Sequence, residues 1–214
     1  MKDIILIGAG GYAKVIIDSF EKEGKHRVVG LVDDQKSGGS WFGISVYSWK
    51  KISDLNVRTG LIAIGNNWVR HQVLQKVHQA FPQFEWVSCI HPSAQISRGA
   101  QIGAGSVVFA NTSIGPDTSI GEHVIVNTGA SVDHDCKIAN FASIAPGATL
   151  GGNVTIGTFT AVSLGAKIIQ SIEVGEHTVV GAGAVAVRNL PSYSVCFGVP
   201  AKQISTRTAE EPYF

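Results

Sequence analysis

The chain has 214 residues, with 17 Lys plus Arg against 16 Asp plus Glu and a formal net charge of +1. Its basic residues are dispersed, so no positive stripe points to nucleic acid or to an anionic membrane surface. Three cysteines, Cys89, Cys136 and Cys196, match neither a metal-ligand spacing nor a paired disulfide framework, which suits a reducing cytoplasm and no resident metal.

Ile4 to Ile7 is a continuous apolar run of the kind found in a buried parallel strand, and glycines interrupt it too early for a secretory leader or a membrane span. Gly8-Ala9-Gly10-Gly11-Tyr12-Ala13 follows and leads into a helical pattern at Val15, Ile16, Ile17 and Phe20. Such a turn lets backbone amides approach a phosphate at a helix N-terminus. It also serves as a plain packing turn or as a redox dinucleotide site, and the residues alone leave these readings open. A second strand, Arg27 to Val32, ends in Asp33-Asp34, where a carboxylate would meet ribose or base. A third, Leu61 to Ile64, ends at Gly65-Asn66-Asn67, and Trp68 to Ala80 reads as a helix. Residues 1–85 therefore form a short Rossmann-like α/β unit without room for a full dinucleotide domain.

From Ile90 to Val180 every sixth residue is aliphatic, in one phase and without insertion. The fifth position of each hexad is small or β-branched, as at Ser106, Thr112, Thr118, Ala130, Cys136 and Ala148, with Ile172 the bulky exception. Two inward positions per six residues suit a short flat strand and a turn, and neither helical spacing nor strict alternation fits. Each hexad is one side of a three-sided prism whose successive turns pair as parallel strands. This unit spans 86–190, leaving a tail over 191–214.

The hexads resemble the left-handed parallel β-helix of hexapeptide-repeat acyltransferases. Together with Gly8 to Lys14, Asp33-Asp34, the bridge Ile90-His91-Pro92-Ser93-Ala94 and the segment Gly198-Val199-Pro200-Ala201-Lys202, the chain resembles one sugar acetyltransferase family from residue 1 to about 202. That family includes sialic-acid O-acetyltransferases and the N-acetyltransferases of nucleotide-linked 4-amino-4,6-dideoxy sugars. The resemblance implies that Gly8, Ala9, Gly10 and Gly11 face the phosphates of a nucleotide sugar, and Asp33, Asp34 and Gly65 its nucleoside. It implies acetyl-CoA as co-substrate, with Ser143, Leu164 and Ala182 at the CoA site and Gly165, Gly181 and Lys202 nearby. Ser143 stands where the family often has histidine. The resemblance also implies a homotrimer with active sites between subunits.

The family's catalytic histidine maps onto Asp133-His134-Asp135-Cys136, and the register gives an independent reason. Val132 and Cys136 are inward positions, whereas His134 and Asp135 fall between them and are free to leave the prism. His134 is read as the general base and Asp135, where the family often has Glu, as its orienting partner. Acylation of Cys136 is the rival mechanism, disfavoured because an inward thiol in apolar surroundings is inert, and a serine in its place is expected to cost stability more than chemistry. His26, His71, His78, His91, His123 and His177 read as structural, with His91 and His123 retained as site-lining alternatives. N-acetylation of a nucleotide-linked amino sugar is favoured over O-acetylation of sialic acid. A scaffold that has lost its chemistry and a nicotinamide-dependent enzyme are the readings from other classes.

Overall fold

Strand β1, Lys2–Ile7, carries the apolar run into the interior, with Ile4, Ile5 and Leu6 fully buried. In the computed structural model, which describes residues 1–212, the chain divides into two compact units, Met1–Pro92 and Ser93–Phe214. In the first unit α1 spans Gly11–Glu23 and buries Ala13, Ile16, Ile17 and Phe20, ending on a left-handed Gly24. Strand β2, His26–Val32, pairs parallel with β1, and a short antiparallel hairpin follows, β3 Ser40–Trp41 and β4 Ile44–Tyr47. A 3₁₀ helix, Trp49–Leu55, leads to β5, Thr59–Ile62, then α2, Asn67–Ala80, and β6, Glu85–Trp86.

The sheet order is β3-β4-β2-β1-β5-β6. The hairpin and the 3₁₀ helix escape the sequence reading because two- to four-residue strands of mixed polarity carry no periodic signal. The third strand also stops two residues earlier than its apolar run. Arg70, 1% exposed, donates to the Ile64 and Gly65 carbonyls at 3.0 Å and draws that segment into a loop. Asn66 caps α2 by accepting the Val69 N–H at 3.0 Å.

In the second unit each hexad gives a two-residue strand, and strands eighteen residues apart pair in parallel. One face runs Ser113, Ser131, Thr149, Lys167, Val185, a second Ser119, Lys137, Thr155, Glu173, and a third Val107, Ile125, Ser143, Ala161, Val179. The three sheets enclose Ile114, Val126, Val132, Ile144, Leu150, Ile156, Val162 and Val180, each essentially buried. The fifth-position hydroxyls fit this dry interior because they find backbone acceptors, four of them fifteen residues on. Ser106 donates to Gly121, Thr112 to Asn127, Thr118 to Asp133 and Thr160 to Gly175, at 2.6 to 3.2 Å.

A second period organises the prism edges. Every sixth residue from Gly99 to Gly183 has a left-handed φ, so each corner is a stack of tight turns with that residue in the second central place. The three corners differ in chemistry. One carries Gly99, Asp117, Asp135, Asn153 and Ser171. Another carries Asn111, Gly129, Gly147, Gly165 and Gly183. The last carries Gly105, His123, Phe141, Phe159 and His177, whose rings stack at 5.3, 5.2 and 4.6 Å and continue to Tyr193 at 4.9 Å. Stacking offsets the unfavourable left-handed backbone of these bulky residues. His123 and His177 are thus rungs of an aromatic ladder, buried to 2% and 5% exposure. After Ser194–Phe197 the chain turns back antiparallel over Lys202–Thr206. Among the described residues no helix is long and apolar enough to cross a membrane.

Candidate active site

The turn after Val132 builds the catalytic candidate. Val132 and Cys136 are buried at 1% and 0%, while the His134 and Asp135 side chains between them are 56% and 60% exposed. His134 occupies the first central place of its turn, where Pro116 stands one coil below, and Asp135 takes the left-handed second place that Asp and Asn tolerate. Because a carboxylate only accepts, the 2.7 Å contact between His134 Nδ1 and Asp135 Oδ2 puts the proton on Nδ1 and leaves Nε2 with its lone pair.

Asp133 adds to this arrangement. Its Oδ1 accepts the His134 backbone N–H at 2.8 Å, and the Asp135 hydrogen bond followed by the Asp133 charge raises the His134 pKa above the ordinary imidazole value. The buried Thr118 hydroxyl donates to the Asp133 carbonyl at 2.7 Å and accepts the Cys136 N–H at 3.2 Å, clamping the segment from below. Cys136 Sγ donates to the Gly151 carbonyl at 3.2 Å, and burial pushes its pKa up, so it is a protonated interior donor.

The residues mapped to CoA lie mainly at the glycine corner. Leu164 and Ala182 are the first central residues of consecutive turns there, both exposed, each beside a left-handed glycine, Gly165 and Gly183. A Cβ on Gly147, Gly165 or Gly183 would meet nothing within 4 Å, so this edge is an open lane. Ser143 begins the half-buried strand two residues before that corner's Pro146-Gly147 turn. Gly181 serves the chain itself, since the Phe197 ring lies where its Cβ would be. Lys202 is exposed and pairs with Phe197 at the start of the last strand.

In the first unit the glycines divide by role. Gly8 has φ +110° and its Cβ would stand 2.9 Å from the Ala63 carbonyl oxygen, so backbone and packing both require it. Gly10 and Gly11 have neither constraint, and side chains there would enter open space at the α1 N-terminus. The Gly8 N–H goes to Val32 O at 2.8 Å and the Ala9 N–H to Asp33 Oδ2 at 3.0 Å. Asp33 Oδ1 accepts from Gln35 N, so Asp33 braces the turn with both oxygens, while Asp34 Oδ1 accepts from Trp49 N.

Two further side chains come from the hairpin segment that the sequence did not announce. Trp41 Nε1 donates to Gly10 O at 3.2 Å, and Lys36 Nζ donates to Ala9 O at 2.6 Å. The Lys36 and Lys14 ammonium groups lie 3.8 and 4.6 Å from the Trp41 ring centre, which sets two cations beside the glycine turn. Lys14 was visible in the glycine segment, but Lys36 and Trp41 had no motif. Next to the turn is a pocket of about 390 Å³ lined by Gly8, Asp33, Asp34, Gln35, Trp49 and Lys76 among others. Gly65 stands in the adjoining loop with open space at its Cβ position. Among the described residues no group of three His, Cys, Asp or Glu side chains forms a metal site.

Comparison with known proteins identifies the family of the chain. Residues 3–77 match the PglD N-terminal domain family. The UDP-N-acetylbacillosamine N-acetyltransferase of Bacillus subtilis is 34% identical over 118 residues, 51% of this chain and 52% of that protein, so the match spans about half of that curated relative. The GDP-perosamine N-acetyltransferase of Caulobacter crescentus, solved with CoA and GDP-perosamine as a histidine-to-alanine mutant, superposes with TM-score 0.90 at 33% identity, covering 96% of this chain and 98% of that one. The acetyltransferase domain of Neisseria gonorrhoeae PglB, solved with acetyl coenzyme A, gives TM-score 0.88 at 35% identity over 95% and 99%. With its Rossmann-like first unit and its left-handed parallel β-helix, the chain belongs to the hexapeptide-repeat sugar acetyltransferase family that contains these enzymes.

Proposed function

We propose that this protein transfers the acetyl group of acetyl-CoA to the 4-amino group of a nucleotide-linked 4-amino-4,6-dideoxy sugar, with His134 as general base. The observation that carries it is the His134 Nδ1–Asp135 Oδ2 bond at 2.7 Å on a half-exposed ring, which fixes the tautomer and leaves the lone pair on Nε2. The amine nitrogen attacks the thioester carbonyl carbon and forms the C–N bond while its proton passes to Nε2. Collapse of the tetrahedral intermediate breaks the C–S bond, and the imidazolium returns its proton to the departing CoA sulfur. Neutral imidazole is thereby restored, and Asp135 with Asp133 stabilises the cation in between.

The first unit would hold the nucleotide. Gly10, Gly11 and the lysines flanking Trp41 suit the diphosphate, and Asp34 in the 390 Å³ pocket suits the nucleoside. CoA would lie along the glycine corner past Leu164 and Ala182. That corner is not the one that carries His134, since the turn positions of 134 and 164 fall in different stacks of eighteen. A homotrimer would bring the glycine corner of one subunit to the His134 corner of the next, and this supports sites shared between subunits. Three free, buried thiols suit the reducing cytoplasm.

Sialic-acid O-acetylation is the second reading, and it makes no use of the Gly10, Lys14 and Lys36 constellation. Incubation with acetyl-CoA, a thiol reagent and a panel of UDP-, GDP- and dTDP-linked 4-amino sugars decides between them. CoA release dependent on one of these sugars supports the proposal, and release with sialic acid alone replaces it.

A further inference from the structure

We propose that Gly152 is the seat of the His134 imidazole, a positioning residue whose missing side chain holds the base in register. Pro116, His134, Gly152 and Gln170 occupy the same place in four stacked turns, eighteen residues apart. Each precedes a left-handed residue, Asp117, Asp135, Asn153 or Ser171, and none is itself left-handed. The backbone there accepts proline, histidine and glutamine, so it does not demand glycine at 152.

Space demands it instead, and on behalf of one side chain. A Cβ at Gly152 would stand 2.5 Å from both Cε1 and Nε2 of His134 and 3.2 Å from Cδ2, and these are its three nearest neighbours. The glycine next to it behaves differently, because a Cβ on Gly151 would strike the Gln170 backbone nitrogen at 2.8 Å, a constraint of the coil itself. The ring is therefore held on two sides, by Asp135 Oδ2 at Nδ1 and by the bare Gly152 backbone along the Cε1–Nε2 edge. A methyl group at 152 forces the ring to turn away, and turning breaks the 2.7 Å bond that fixes its tautomer.

The role rests on His134 being the base, so its test pairs kinetics with a readout that needs no turnover. Gly152→Ala should lower kcat at least tenfold with the KM for acetyl-CoA and for sugar nucleotide within twofold. In a His134→Ala background the same substitution should change the residual rate by less than twofold, because the ring it displaces is gone. The double variant should melt no lower than His134→Ala alone, since alanine suits that backbone. NMR titration of His134 without substrates should show its pKa, raised in the wild type, falling back toward the ordinary imidazole value in Gly152→Ala. An unchanged kcat and titration in Gly152→Ala, or equal losses in both backgrounds, would overturn the seat. Should His134→Ala stay fully active, the base assignment fails, and the titration still decides the seat by itself.

Discussion

The Cys136 thiol donates to the Gly151 carbonyl at 3.2 Å, the same bond that Ser106, Thr112, Thr118 and Thr160 make fifteen residues ahead of themselves. The thiol two residues from His134 thus holds a structural place in a series of interior donors. A serine there inherits a ready acceptor, and the cost expected from sequence for a buried hydroxyl does not arise. Cys136→Ser and Cys136→Ala should each keep kcat within threefold of wild type. Mass spectrometry of enzyme quenched with acetyl-CoA should find no acetyl group on Cys136, and an adduct there would replace direct transfer with an acyl-enzyme.

The glycines of the first turn make contrasting predictions. Gly10→Val adds a side chain in open space at φ −85°, so the protein should fold normally. It should raise the Kd for the sugar nucleotide at least tenfold, about 1.4 kcal/mol, and leave acetyl-CoA affinity unchanged by calorimetry. Gly8→Ala meets the Ala63 carbonyl with a left-handed φ and should lower the melting temperature instead. Unchanged nucleotide-sugar binding in Gly10→Val would make the turn a packing feature.

The base must be neutral to accept a proton, so kcat/KM should rise with pH and level off. The midpoint should lie above the ordinary imidazole pKa of about 6.5, because Asp135 and then Asp133 favour the cation. Asp135→Asn removes the larger cause and should shift that limb to lower pH while lowering the plateau. A limb that stays in place would show that another group titrates.

The aromatic corner carries stability. Phe141 is 7% exposed between His123 and Phe159, and Phe141→Ala should cost about 3 kcal/mol of unfolding free energy. Burial lowers the pKa of His177, so the unfolded chain binds its proton first and stability falls as pH drops below the unfolded value. The loss ends once pH passes the folded value. His177→Phe should flatten this part of the stability profile in denaturant titrations at pH 7 and pH 5.

Much of this was legible in the sequence, and the gaps have physical causes. The hexads announce themselves because two inward positions per six residues repeat without insertion, and the same register places His134 outward and Cys136 inward. The corner stacks were equally present, at every sixth residue from Gly99, but glycine, aspartate and phenylalanine share no property until the left-handed backbone unites them. That is why His123 and His177 read as isolated histidines. Asp33 and Gly181 also serve the fold, which no motif shows: Asp33 Oδ2 accepts the Ala9 N–H, and the Phe197 ring lies where a Gly181 Cβ would be. Trp41 and Lys36 reach the glycine turn through a tertiary fold-back of β3, Ser40–Trp41, which no local pattern encodes.

The proposed chemistry turns on His134 removing the amine proton. Steady-state kinetics of His134→Ala with acetyl-CoA and the preferred nucleotide-linked 4-amino sugar tests it most directly. The kcat should fall by about 10² to 10⁴ with both KM values nearly unchanged. A kcat within threefold of wild type would contradict it.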